Sequence, residues 1–262
     1  MKIGIFDSGI GGLTVFKEIS KALPSFEIIY LGDTARLPYG IKSKRTIDRY
    51  SINNVKLLKS LDCEIIVIAC NTASSYSTNL LKSKFKIPIF DVISAGVKAA
   101  LKDNPKILGV IGTDSTINSM AYNKMILNNN SNIKVYTKAC SIFVPIIEQG
   151  LIKKKHYNKI IEENLKFFKN KNLNGLILGC THYPIIKGKI KDYLGDDIRL
   201  IDSSLEVSAT LKKYLEINYP NEFTKRKSKR SILLTDKSNY FDSVIKKIFN
   251  KLNFNIKLID IK

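Results

Sequence analysis

No apolar run in this 262-residue sequence approaches the ~20 residues that a membrane span needs. The opening stretch "MKIGIFDSG" passes straight into a strand-like run, without the basic, apolar and small-residue blocks of a secretory leader. The expectation is a cytoplasmic protein with no membrane partner. Cysteine is sparse: Cys63, Cys70, Cys140 and Cys180 are all there is. None forms a C-x-x-C pair and the spacings match no usual zinc-ligand pattern, so no metal is expected. A chain this long builds its core without disulfide staples, so the four thiols are expected to be free.

Arginine is also scarce. The formal net charge is +20, which invites a nucleic-acid reading, yet only 6 of the 43 basic residues are arginine. Arginine is the better reader of phosphates and base edges. The excess of lysine, together with abundant asparagine and isoleucine, reads as the product of an AT-rich coding sequence. No nucleic-acid partner is expected. The one dense basic run, "TKRKSKR" at 224–230, reads as a solvated loop. Nucleotide fingerprints are missing too. "DSGIGG", Asp7 to Gly12, would need a glycine at position 14 to complete G-x-G-x-x-G, and Thr14 stands there; Walker A is absent.

What is present is a globular composition, 44% hydrophobic and 25% charged. Short apolar runs at 2–6, 27–31, 64–69, 87–90, 106–111, 132–136, 175–179, 198–201, 231–234 and 256–260 predict strands. Stretches with a 3.6-residue period, such as 43–61, 115–128, 155–170, 203–217 and 238–249, predict helices between them. Continuous apolar strands alternating with helices make an α/β fold: mostly parallel sheets with helices on both faces. A degenerate internal repeat points to two similar halves. "IGIFDSGIGG" from residue 3 and "LGVIGTDST" from residue 108 are both strand, turn and small polar residues before a helix.

In open α/β sheets, ligands bind beyond the carboxyl ends of the strands. Four loops with polar residues fall there. "DSGIGG" offers Asp7 and Ser8. "GDTARLPYG" at 32–40 has Pro38 and Gly40 to shape a turn. "ACNTAS" puts Asn71 and Thr72 after Cys70, and "LGCTHYP" puts Thr181 and His182 after Cys180. One cysteine at the end of an apolar strand is usually a small core residue. Two in matched contexts suit proton transfer at a carbon: one thiolate removes hydrogen from one face while a thiol on the other face delivers a proton. Asp7 and His182 are candidates to accept and return the thiol protons. Glu148, in "FVPIIEQG", is a third candidate carboxylate. A Cys–His nucleophile at Cys180 and His182 is the rival chemistry, but it leaves Cys70 unexplained.

Taken in this order and spacing, "FDSGIGG", "GDTARLPYG", "ACNTAS" and "LGCTHYP" resemble the bacterial glutamate racemases, over Ile3 to about Ser203. The resemblance implies two pseudo-symmetric α/β domains with the site in the cleft between them, residues 1–94 plus 208–262 forming the first and 95–207 the second. It implies cofactor-independent interconversion of L- and D-glutamate, supplying D-glutamate for peptidoglycan. Glutamate is then the small-molecule partner, and a homodimer is one assembly compatible with it. By resemblance Cys70 and Cys180 are the two acid–base thiols, assisted by Asp7, Glu148 and His182, with Asp7 on the Cys70 side. Asp7, Ser8, Tyr39, Gly40, Asn71, Thr72, Thr181 and His182 match substrate-binding positions, as do Thr113 and Thr116 in "IGTDSTINSMAY". An aspartate racemase or related amino-acid racemase is the nearest alternative; its members often carry glutamate where this chain has His182. A non-catalytic binder of small acids is the alternative from another class, and both cysteines with Asp7 and His182 argue against it.

Overall fold

The computed structural model describes residues 1–153, 156–224, 227–237, 241–249 and 254–261. Outside the described residues lie position 155 of the expected helix at 155–170, residues 225–226 of the basic run, and 238–240 of the last expected helix.

Among the described residues there are ten strands: β1 Lys2–Asp7, β2 Glu27–Gly32, β3 Ile65–Ile68, β4 Ile89–Asp91, β5 Ile107–Gly112, β6 Lys134–Ala139, β7 Gly175–Gly179, β8 Arg199–Ile201, β9 Arg230–Leu234 and β10 Asn255–Leu258. Each of the ten expected apolar runs became one of them, with ends shifted by up to three residues. The α-helices are α1 Leu13–Ala22, α2 Lys44–Ser60, α3 Asn71–Lys84, α4 Val92–Leu101, α5 Asp114–Asn118, α6 Ala121–Asn129, α7 Phe143–Glu148, α8 His156–Leu165, α9 Lys187–Leu194, α10 Ser203–Asn218 and α11 Phe241–Ile248. No helix among these residues is long and apolar enough to cross a membrane.

The strands form two sheets, ordered β10-β9-β2-β1-β3-β4 and β6-β5-β7-β8, and every pairing is parallel. Alternation along each strand explains why the runs are continuously apolar. In β3, Ile65 and Val67 join the core on one face, Ile66 and Ile68 the core on the other. The second sheet repeats this with Leu176 and Leu178 on one side and Ile177 on the other.

The order β2-β1-β3-β4 in the first sheet matches β6-β5-β7-β8 in the second. Strand β1 therefore corresponds to β5, and β3 to β7. This is the physical content of the sequence repeat: residues 3 and 108 begin equivalent strands, and Cys70 and Cys180 each follow equivalent strands.

Two expected helices differ from the sequence reading. The 115–128 stretch is split into α5 and α6, because Met120 takes a left-handed backbone (φ 57°). The Ser119 hydroxyl holds that break, donating to the Thr116 carbonyl and accepting from the Ala121 N–H. The 155–170 stretch tightens after Leu165 into a 3₁₀ turn at Lys166–Phe168. Helices α4 and α10 pack together where the chain passes between the sheets. The carboxylate of Glu206 on α10 joins them by pairing with Lys98 at 2.8 Å and Lys102 at 2.5 Å.

Candidate active site

All strands within a sheet run the same way, so their carboxyl ends share one edge, and the two such edges face each other. The first loop to reach this cleft follows β1. Asp7 is fully buried. Its Oδ2 accepts from the N–H groups of Gly9 (3.0 Å) and Gly12 (3.1 Å), and its Oδ1 accepts from the Thr181 hydroxyl across the cleft (3.3 Å). Burial raises the Asp7 pKa, against the opposing pull of His182 and these hydrogen bonds. The Tyr30 hydroxyl donates to the Gly9 carbonyl at 2.7 Å and pins the loop from below. Gly11 has to be glycine for close approach: a Cβ there would stand 2.6 Å from His182 Nδ1 and from Thr181 Oγ1.

Cys70 is the N-cap of α3, and its Sγ accepts from the Ala73 N–H at 3.4 Å. The Sγ also lies 3.5 Å from Ser8 Oγ. Burial, with the charge of Asp7 behind it, pushes the Cys70 thiol up to about 12. The direct polar partners of this sulfur are thus the Ala73 N–H and the Ser8 hydroxyl, while Asp7 acts on it through its field.

On the opposite wall, Cys180 Sγ lies 3.6 Å from His182 Nδ1, and His182 Nε2 lies 2.5 Å from Glu148 Oε1. Burial alone would lower the His182 pKa. Its hydrogen bonds to Cys180 and Glu148, and the Glu148 charge, overcome that and hold it well above the ordinary histidine value. Glu148 closes α7, at the glycine turn that carries it to His182. The four cysteines are free thiols.

Between the two walls is a cavity lined by Ser8, Tyr39, Gly40, Cys70, Asn71, Thr72, Thr113, Cys180, Thr181 and His182, with Leu37, Pro38, Val144 and Gly179 completing it. Ten of the thirteen residues expected from sequence are therefore brought to one surface. Asp7, Glu148 and Thr116 stand one layer behind, each hydrogen-bonded to a lining residue. Thr72, Thr113 and Thr116 form a triangle of hydroxyls with edges of 2.9, 3.0 and 3.3 Å. Tyr39 contributes through its backbone and ring, since its hydroxyl donates to buried Asp33 and accepts from Asn54 Nδ2. Among the described residues no lysine or arginine lines the cavity, so neutral donors, the N-terminus of α3 and His182 are what they offer an anion there. Its volume is about 20 Å³, room for about one water molecule. Larger hollows, such as one of about 630 Å³ beside Lys17, Lys227 and Phe254, are open surface grooves without paired thiols.

Sequence reasoning missed Ser115, which donates to the Gly40 carbonyl at 2.7 Å and so ties the 32–40 loop to the second sheet. It also missed Tyr122, whose hydroxyl donates to Asn71 Oδ1 at 2.7 Å. A lone tyrosine at a helix start reads as core, and nothing local distinguishes this one.

This geometry is that of an acid–base site with a thiol on either wall, and the chain belongs to the Asp/Glu/Hydantoin racemase family, whose model matches residues 3–208. Its relatives there are more particular. The glutamate racemase of Aquifex aeolicus is 45% identical over 254 residues, covering 96% of this chain and 95% of that protein. The crystal structure of glutamate racemase from Francisella tularensis in complex with D-glutamate superposes with a TM-score of 0.91 at 40% identity, over 99% of this chain and 97% of that one. Glutamate racemase from Aquifex pyrophilus superposes with a TM-score of 0.81 at 43% identity, over 98% of each chain.

Proposed function

We infer that the chain is a glutamate racemase, interconverting L- and D-glutamate by proton transfer at Cα without a cofactor. The observation that carries this reading is the pair Cys70 and Cys180, following equivalent strands of two sheets and lining one cavity. A thiolate on one side takes the Cα proton, and the thiol on the other gives its proton to the opposite face of the carbanion. The first sulfur ends protonated and the second ends as thiolate, and the reverse reaction restores them. Cys180 exchanges its proton with His182, which Glu148 orients. Ser8 and the Ala73 N–H stabilise negative charge on Cys70, and Asp7 holds its loop in place.

Ser8, Tyr39, Gly40, Asn71, Thr72, Thr113, Thr116, Thr181 and His182 serve the substrate's polar groups, with the hydroxyl triangle and the α3 N-terminus as sites for carboxylate. The two sheets support a division into residues 1–94 plus 208–262 and residues 95–207, with α4 and α10 at the crossing. A cytoplasmic enzyme that delivers D-glutamate to peptidoglycan, and so to cell wall and cell shape, accompanies this reading, with a homodimer as a compatible assembly.

The test is a chiral assay with L-glutamate, D-glutamate and L-aspartate and no added cofactor. Racemisation of both glutamate enantiomers with little of aspartate is the expected result. Aspartate is one methylene shorter, and a site built to hydrogen-bond the distal carboxylate leaves its donors unpaired when that group is out of reach. Comparable specificity constants for the two amino acids would replace glutamate by a broader substrate class.

A further inference from the structure

We propose that Tyr122 is a positioning residue that fixes the side-chain amide of Asn71 with its NH₂ facing the substrate cavity. The inference rests on the racemase reading and adds to it a residue that does not itself line the cavity.

Tyr122 is buried in α6, on the second-sheet side of the cleft; Asn71 opens α3 on the first-sheet side. A buried phenol has to place its proton, because leaving it unpaired costs the desolvation of the group. Among the described residues that proton has one acceptor, Asn71 Oδ1 at 2.7 Å. The phenol ring is held by its neighbours, since the backbones of Gly96 and Gly179 pass so close that a Cβ at either would stand 3.2 Å and 3.1 Å from Tyr122 atoms. A fixed ring with its hydroxyl on Oδ1 permits one orientation of the Asn71 amide.

Among the described residues the other end of that amide has no partner. Asn71 Nδ2 is buried and unpaired in a residue only 3% exposed that lines the cavity. An unpaired donor at the mouth of a helix, beside Cys70, suits a carboxylate oxygen of the substrate. With the amide reversed, Oδ1 would face that carboxylate and repel it. The Tyr122 hydroxyl therefore selects for an anion at a distance, through the amide it holds.

The experiment is a double-mutant cycle read in both directions of racemisation. Tyr122→Phe should raise KM about ten-fold and leave kcat within about two-fold, the loss of one oriented charge-assisted hydrogen bond. In an Asn71→Ala background the same Tyr122→Phe change should leave KM unmoved, because no amide remains to orient. A Tyr122→Phe effect of equal size in both backgrounds would overturn the inference, making Tyr122 a packing residue while leaving the racemase reading intact. Asn71→Asp supplies a second test that keeps Tyr122. Its carboxylate still accepts from the phenol but sets oxygen where the NH₂ was, so binding should weaken at least as much as in Asn71→Ala with thermal stability retained. Unchanged glutamate affinity in Asn71→Asp would equally overturn the proposal. Wild-type protein inactive on both glutamate enantiomers would overturn the functional reading and this inference with it.

Discussion

Glu148 and His182 share one hydrogen bond of 2.5 Å, and the far nitrogen of the same ring lies 3.6 Å from Cys180 Sγ. The carboxylate thus holds the imidazole by one edge and leaves the other edge to the thiol. Replacing Glu148 by glutamine keeps a hydrogen-bond partner but removes the charge that raises the His182 pKa. A histidine whose folded pKa is raised gives stability that is complete below its unfolded value and lost as pH rises through the folded one. Glu148→Gln should therefore cost about 1–3 kcal/mol near pH 6 and progressively less at alkaline pH. Thermal melts of the two proteins across that range check it. A melting difference that grew with pH would reverse the assignment of charge to this pair.

Each crossing of Cα needs one base and one acid, so neither thiol can substitute for the other. Cys70→Ala and Cys180→Ala should each reduce racemisation in both directions by at least ~10²-fold. In deuterated water, early product from either enantiomer should carry solvent deuterium at Cα, because the incoming proton comes from the thiol that did not take the outgoing one. Product that kept the substrate's own hydrogen would point to a single shuttling base.

Gly11 stands where the glycine loop of the first sheet meets the His182 loop of the second. Gly11→Ala places a methyl group 2.6 Å from His182 Nδ1. The ring has to shift or the loop has to retreat, at about 1–3 kcal/mol. A drop in kcat with the fold intact by circular dichroism is the expected outcome. Wild-type kcat would mean that the two loops separate during turnover.

A cavity of about 20 Å³ does not hold an amino acid, so the walls have to part to admit one. Bonds that cross the cleft, and so stand in the way, include Thr181 to Asp7, Ser115 to the Gly40 carbonyl, Thr72 to Thr113 and Thr116, and Tyr122 to Asn71. Amide hydrogen exchange at 39–42 and 113–117 should slow when D-glutamate saturates the protein. Equal exchange with and without ligand would show that entry uses another route.

The sheets were legible because buried parallel strands leave continuous apolar runs, and Ile65–Ile68 is such a run with both faces covered. The paired cysteine loops were legible because small polar residues directly after such runs have no packing reason to be there. Helix α3 was harder to read. Its buried face is made of Asn71, Thr72, Ser74 and Ser77 as much as Ala73 and Leu81, so hydrophobic periodicity is faint. Those buried polar residues face the cleft or bond to the chain nearby, as Ser77 does to Asp48 at 2.8 Å. Ser115 and Tyr122 were hidden for a different reason: each acts on a residue more than 45 positions away, and only the fold brings the pair together.

Cys70 and Cys180 follow equivalent strands, yet the limit on how unequal the two directions of turnover can be is set by the substrate and not by that placement. Mirror-image substrates have the same free energy in water, so their equilibrium ratio is unity and the two values of kcat/KM must be equal. The half-sites themselves are chemically unlike, with Ser8 and an N–H beside one sulfur and an imidazole beside the other. That difference has to vanish from kcat/KM and reappear as compensation: the enantiomer with the lower KM has the lower kcat, by the same factor.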